Sequence, residues 1–392
     1  MKAAFELADI VRRFGSRYVD RFGPVVHIEK TLRAIKLCRT AALGGHIDVC
    51  RDCGGLKISY NSCRNRHCPK CQTTNREKWL LLMQSKVLPV PYFHVVFTLP
   101  EQLNGLCISN PKVMYDLLFQ TAWQTIKGFA GNKQYAGGLK TGMTAVLHTW
   151  GQQLMLHPHV HCIVPFGGVN EDGQWRPLKG NGRYLFPIEP MKSVYRGKFI
   201  AGLRQLEKAK SIPAQSTGFY NKLYRQDWVV FAKRPFGGPE QVMEYLGRYT
   251  HKVAISNHRI TQIDEETVTF RYKDYRQAGK QKLMTLKGEE FLRRFTLHIL
   301  PPGFMKIRHY GLHSGALQKA QNEIYFHLTG EVRIQEGTID WQEICRIRLG
   351  FNPACCPHCK ATGTLIAFDS WQRGRPPPDY LITDVSFDTW TA

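Results

Sequence analysis

The segment His157-Pro-His159-Val-His161-Cys-Ile-Val reads as part of a strand. On a strand, residues i and i+2 face the same way, about 6.8 Å apart. His159 and His161 can therefore converge on one divalent ion while Val160 faces the core. His157 shares that face, though Pro158 can bend it away. His94 and His148 fall on neighbouring predicted strands and are candidate third ligands. A second constellation follows in Glu244-Tyr245-Leu-Gly-Arg248-Tyr249-Thr-His-Lys252. On a helix, Tyr245 and Tyr249 stack on one face about 6 Å apart along the axis. Arg248 and Lys252 lie beside them, placed to hold phosphates or to favour the phenolate. Two such tyrosines alone are usually a packing ridge. Beside a metal-binding histidine pair in a strongly basic chain, they suggest a pair of phosphodiester nucleophiles.

The cysteines carry a different chemistry. Cys50-x2-Cys53 and Cys68-x2-Cys71 are two knuckles, and each can present two thiolates to one tetrahedral ion. The expected set is thus Cys50, Cys53, Cys68 and Cys71 around a structural zinc. Cys63, His67 and His46 are further potential ligands that could replace a member or hold a second ion. Arg64, Arg66 and Lys70 flank the cluster, so the zinc would organise a small basic module that grips DNA phosphates. Cys356-Pro-His-Cys359, with Cys355 before it, looks like one knuckle without an evident mate. His358, His309 or His313 could contribute there; the bland reading is an unmetallated loop.

These residues sit in a chain of 392 with 54 Lys+Arg against 31 Asp+Glu, a formal net charge of +23. Such a charge points to a polyanion, most economically nucleic acid. A hydrophobic fraction of 43% marks a globular protein rather than a disordered one. The best apolar run, Val87 to Pro100, contains three prolines and a histidine, which excludes a membrane span. The amphipathic, mixed-charge stretch from Met1 to Phe22 does not read as a secretion signal. Twelve cysteines in a reducing cytoplasm argue for metal sites over disulfides. No Gly-x4-Gly-Lys-Ser/Thr phosphate loop occurs, so no nucleotide cofactor is expected.

The elements that must position this chemistry follow from periodicity. Apolar residues at near-helical spacing predict helices over 5–22 and 29–40, and a third follows the cysteine cluster until Pro89 and Pro91. Strands are expected at 92–99, 143–150, 159–165 and 227–232, with helices over 111–128, around 192–209 and from near Pro239. A hairpin is expected across 260–263 and 267–272. After Pro301-Pro302 the pattern weakens, and the tail near Pro376 reads as extended or disordered. This mixture predicts an α+β fold built on an antiparallel sheet. The expected division is a helical zinc-binding, DNA-binding domain over 1–90, a nuclease domain over 91–300 and an accessory region over 301–392.

Four blocks now bear on family. Tyr60-Asn-Ser-Cys-Arg-Asn-Arg-His-Cys-Pro-Lys-Cys-Gln72, Tyr92-Phe-His-Val-Val-Phe-Thr-Leu-Pro100, His157-Pro-His-Val-His-Cys-Ile-Val164 and Tyr245-Leu-Gly-Arg-Tyr-Thr-His-Lys-Val-Ala-Ile-Ser-Asn257 closely resemble the two-tyrosine transposases of IS91-type insertion sequences. These belong to the HUH (His-hydrophobe-His) nucleases. The resemblance implies a ferredoxin-like or RRM-like catalytic fold and rolling-circle transposition of single-stranded DNA through 5′-phosphotyrosine intermediates. It implies His159 and His161 as ligands of a catalytic Mg2+ or Mn2+, and Tyr245 and Tyr249 as nucleophiles. The expected partners are single-stranded transposon ends and target DNA, with host replication or helicase functions and no membrane. The expected setting is a bacterial cytoplasm, at the nucleoid. A plasmid or phage replication initiator or relaxase shares the chemistry, and a non-catalytic zinc-ribbon regulator is the rival of another class.

Overall fold

A computed structural model describes residues 3–84, 87–179, 185–236, 252–332 and 340–375, together with 241, 247, 377 and 378. The strands, in chain order, are β1 (Gly45–Cys50), β2 (Leu56–Tyr60), β3 (Tyr92–Thr98), β4 (Gly142–Trp150), β5 (Leu156–Pro165), β6 (Gly168–Val169), β7 (Trp175–Arg176), β8 (Val230–Phe236), β9 (Ile260–Ile263), β10 (Thr267–Asp274), β11 (Lys280–Lys287), β12 (Ile307–Gly311) and β13 (Leu365–Trp371). All registered pairings between them are antiparallel. With long helices between them, the class is α+β. The chain forms two compact units. One gathers residues 1–79, 251–299 and 337–392; the other gathers 80–250 and 300–336.

The second unit is built on a five-stranded sheet in the order β12-β4-β5-β3-β8. Strand alternation sorts its faces. Phe93, Val95 and Phe97 of β3, Met143, Ala145 and Leu147 of β4, and Val160, Cys162 and Val164 of β5 all enter one hydrophobic core. The helices Pro111–Gly131 and Ile188–Lys208 supply the rest of that core through residues such as Leu118, Ala122, Tyr195 and Phe199. Those helices meet closely because Gly202 has no side chain; a Cβ there would lie 2.3 Å from a Leu117 methyl. The intervening strand positions, His94, His148, His159 and His161 among them, are thereby left to the other face.

Phe97 is fully buried, with its ring centroid 4.9 Å from that of Tyr195. Phe97→Ala is expected to destabilise this unit by about 3–5 kcal/mol, as for other large-to-small core changes. Denaturant unfolding would show it as a lower midpoint; a loss below about 1 kcal/mol would mean that the ring does not support the core.

In the first unit, the helix Leu7–Phe22 begins on a reciprocal cap between Glu6 and Asp9 and packs against the helix Gly288–Thr296. Tyr18 Oη lies 3.1 Å from Thr296 Oγ1, and Arg17 pairs with Glu266 at 2.9 Å and with Glu289 at 3.3 Å. The sheet β11-β10-β9 leads into that second helix. A separate three-stranded sheet runs β13-β1-β2.

These pairings depart from the sequential division expected at residues 90 and 300. Residues 251–299 and 337–392 group with the N-terminal segment, and 300–336 group with the unit that carries the histidines. Two strands in the region of weak pattern were not expected. β12 adds an edge to the five-stranded sheet through Ile307↔Val146 to Gly311↔Gly142, and β13 pairs with β1. Both are short edge strands, whose partners rather than whose composition define them.

Candidate active site and zinc centre

β4 and β5 bring three imidazoles together. His148 stands directly opposite His159 in the β4–β5 register, and His161 follows two residues along on the same face. One ring nitrogen from each of His148, His159 and His161 lies within 4.8 Å of the others. Ring centroids are 4.9 Å apart for His159 and His161 and 4.6 Å apart for His148 and His161. His148 is buried and stacks on Trp150 at 4.6 Å; His159 and His161 are half-buried. His159 Nδ1 lies 2.7 Å from the His157 carbonyl oxygen. A carbonyl only accepts, so Nδ1 carries the hydrogen, and in the neutral ring the lone pair is on Nε2.

Of the two candidate third ligands, the geometry selects His148. His94 occupies the adjacent strand, with Nε2 2.8 Å from His161 Nδ1 and its ring stacked at 5.1 Å. Burial, aided by the Lys233 charge, pushes the His94 imidazole down to about 3. It is therefore neutral near pH 7. One hydrogen is shared between the two rings, and the contact holds the orientation of the His161 ring, as an outer partner does beside a ligand histidine. His157 is exposed and lies outside the group.

The cysteines divide differently from the expected set. Cys68 and Cys71 join Cys38 and Cys63, with sulfurs within 4.8 Å of one another. Cys38 and Cys71 are 3.5 Å apart and Cys63 and Cys71 are 3.6 Å apart. Four sulfurs about 2.3 Å from one tetrahedral ion are about 3.8 Å apart, so this tetrad fits zinc closely. Cys50 and Cys53 lie elsewhere, beside Cys356 and Cys359. The single expected ion shared by Cys50, Cys53, Cys68 and Cys71 is thus corrected, because β1 carries Cys50 to the C-terminal strand rather than to the second knuckle. Among the extra candidates, Cys63 is a member; His46, on β1, and His67 are not.

Comparisons with known proteins agree with this division of labour. A family model described as a transposase zinc-binding domain matches residues 10–99, and one described as a putative transposase matches 142–321. A putative transposase, y4qJ, of Sinorhizobium fredii (strain NBRC 101917 / NGR234) is 44% identical over 322 residues, covering 78% of this chain and 79% of that protein. The transposase for insertion sequence element IS801 of Pseudomonas savastanoi pv. phaseolicola is 30% identical over 298 residues, covering 72% and 69%. The chain belongs to the IS91-type transposase family. Among solved structures, the metal-bound conjugative relaxase TrwC in complex with oriT DNA aligns with 41% of this chain and 74% of its own. The identity there is 13% and the TM-score 0.24.

In this transposase, the histidine cluster falls within the segment matched as transposase, and the Cys38 tetrad within the matched zinc-binding domain. Tyr245, Arg248 and Tyr249 lie outside the described residues. Lys252 is exposed, in a stretch without regular secondary structure rather than on a continuing helix. Arg64 is exposed, with a positive φ of 53° in the turn between Cys63 and Cys68. Arg66 is half-buried, and burial lowers its pKa from a very high value. Lys70 pairs with Glu6, so its charge is partly spent within the module. His309 and His313, weighed for the C-terminal knuckle, instead contact Thr144 Oγ1 on β4, each at 3.0 Å. Cys38, the fourth member of that tetrad, was not among the expected residues. Its presence in the same dense run of cysteines was a signal, but no CxxC spacing marked it.

Proposed function

We propose that this transposase nicks and rejoins single-stranded DNA at insertion-sequence ends through 5′-phosphotyrosine intermediates on Tyr245 and Tyr249, in rolling-circle transposition. The observation that carries the reading is the convergence of His148, His159 and His161 on one face of an antiparallel sheet, with ligand nitrogens within 4.8 Å. The His157 carbonyl and the His94 ring hydrogen-bond the imidazoles of His159 and His161 and so hold their orientation. Three neutral imidazoles suit Mn2+ better than Mg2+, with DNA oxygens completing the shell. A divalent ion held there would polarise the scissile phosphate and stabilise charge in the transition state.

The chain's own residues do the covalent work. A tyrosine Oη bonds to phosphorus as the bond from phosphorus to the 3′ oxygen breaks. The 5′ side stays on the enzyme, and the departing 3′ oxygen takes up a proton to become a hydroxyl. The reverse step rejoins a strand without nucleotide hydrolysis, since the phosphotyrosine retains the bond energy. A second tyrosine holds one end while another is cut. Arg248 and Lys252 neutralise the phosphate at the tyrosines, and Arg64 and Arg66 of the zinc module contact DNA phosphates. Strand separation falls to host replication or supercoiling, in the bacterial cytoplasm at the nucleoid.

Incubating the full chain with single-stranded oligonucleotides carrying element ends and Mn2+ is expected to give a covalent protein–DNA adduct and a free 3′-hydroxyl fragment. Binding without any adduct, across end sequences and metals, would instead fit a non-catalytic DNA-binding regulator.

A further inference from the structure

The zinc-binding domain match covers residues 10–99, yet Cys50 and Cys53 within it lie outside the Cys38 tetrad, and Cys356 and Cys359 lie beyond the match. Two knuckles far apart in sequence nevertheless have the same backbone. In Cys50-Arg-Asp-Cys53, Gly54 N–H donates to the Cys50 carbonyl at 2.8 Å and Cys50 N–H donates to the Gly55 carbonyl at 3.0 Å. In Cys356-Pro-His-Cys359, Lys360 N–H donates to the Cys356 carbonyl at 3.0 Å and Cys356 N–H donates to the Ala361 carbonyl at 2.8 Å. The residue after each second cysteine is left-handed, with φ of 68° at Gly54 and 65° at Lys360. A lysine is uncommon in that conformation, so the surroundings impose the turn.

The two knuckles face one another. Cys50 Sγ is 3.7 Å from Cys359 Sγ, and Cys53 Sγ is 3.7 Å from Cys356 Sγ. All four sulfurs lie within 4.8 Å. A disulfide would need about 2.05 Å, whereas tetrahedral thiolates on zinc stand about 3.8 Å apart. Cys50 and Cys356 are buried, while Cys53 and Cys359 face solvent. The approach is built by pairing around it. β1 and β13 end on Cys50↔Leu365, Arg51 N–H donates to the Thr364 carbonyl at 2.9 Å, and His358 Nε2–H donates to the Leu56 carbonyl at 3.1 Å. Gly55 permits that closeness, since a Cβ there would lie 2.6 Å from the His358 ring.

We infer that Cys50, Cys53, Cys356 and Cys359 bind a second structural zinc ion, in a ribbon that closes the C-terminal segment onto the N-terminal sheet. Four thiolates in a closed set select zinc over hard cations. The ion ties together cysteines 303 and 309 residues apart, and so fixes β13 on β1. The inference is independent of the tyrosine chemistry.

Native mass spectrometry with elemental analysis of the full-length protein is expected to show two zinc ions per chain. Cys356→Ser with Cys359→Ser should lower that to one, as should Cys68→Ser with Cys71→Ser. One zinc in the native protein, or two retained in the Cys356/Cys359 variant, overturns the inference; iron in place of the second zinc overturns its identity. Should a variant fail to fold, cobalt-loaded wild type decides the matter. Thiolate-to-cobalt absorption is expected at the strength of two tetrathiolate sites per chain, and the strength of one overturns the inference.

Discussion

Tyr245→Phe combined with Tyr249→Phe is expected to abolish the covalent adduct while leaving single-stranded DNA binding within about twofold of wild type. Removing both hydroxyls removes every nucleophile the mechanism has, so cleavage should fall by on the order of 10⁴-fold or more, as when a covalent nucleophile is deleted elsewhere. Binding rests on Lys and Arg contacts to phosphates, which neither substitution touches. Each single substitution should retain an adduct on the remaining tyrosine but fail to complete strand transfer, because two ends must be held in turn. Gel shift and denaturing gel analysis on the same oligonucleotide separate the two properties. An undiminished adduct in the double variant would place the nucleophile on another residue.

His159→Ala should remove cleavage nearly as completely, by a different route. It deletes one of three clustered nitrogens and the Nδ1–H bond to the His157 carbonyl that orients the ring. The expected loss is on the order of 10²–10³-fold in cleavage, the scale of losing a positioned electrostatic stabiliser. Chelation of wild-type protein should match it, with recovery on adding Mn2+. His94→Gln should be milder. It leaves the three clustered histidines in place but removes the imidazole hydrogen-bonded to His161 Nδ1, and outer partners of this kind are worth roughly 10–100-fold in metal affinity. Its defect should therefore shrink as Mn2+ is raised, whereas that of His159→Ala should persist. Full cleavage in chelated wild type would remove the metal from the mechanism.

The distribution of cleavage defects would also separate the roles proposed for the histidine cluster and the cysteine tetrad. The histidine cluster is borne by a sheet whose other face holds Phe97, Val160 and Tyr195 in one core, so its losses should leave folding intact. Loss of the Cys38 tetrad should act on folding itself, because metal binding and ordering of a small module are coupled.

What the sequence by itself determined is whatever local periodicity encodes. A two-residue repeat places His159 and His161 on one face and Val160 on the other, and β5 has that arrangement. The strands at 92–98 and 142–150, the helix from Pro111 and the hairpin across 260–274 arise the same way, since each satisfies its own alternation or helical stripe. The cysteine counts and CxxC spacings likewise announced thiolate metal chemistry. Only the tertiary structure decided which residues share a site. Choosing His148 over His94 required the β4–β5 register, in which His148 stands opposite His159. Splitting Cys50 and Cys53 from Cys68 and Cys71 required β13 to pair with β1 across more than 300 residues. Local pattern fixes which way a side chain points from its own backbone. The partner it meets depends on long-range strand pairing, which is set by the summed burial and hydrogen bonding of the whole sheet.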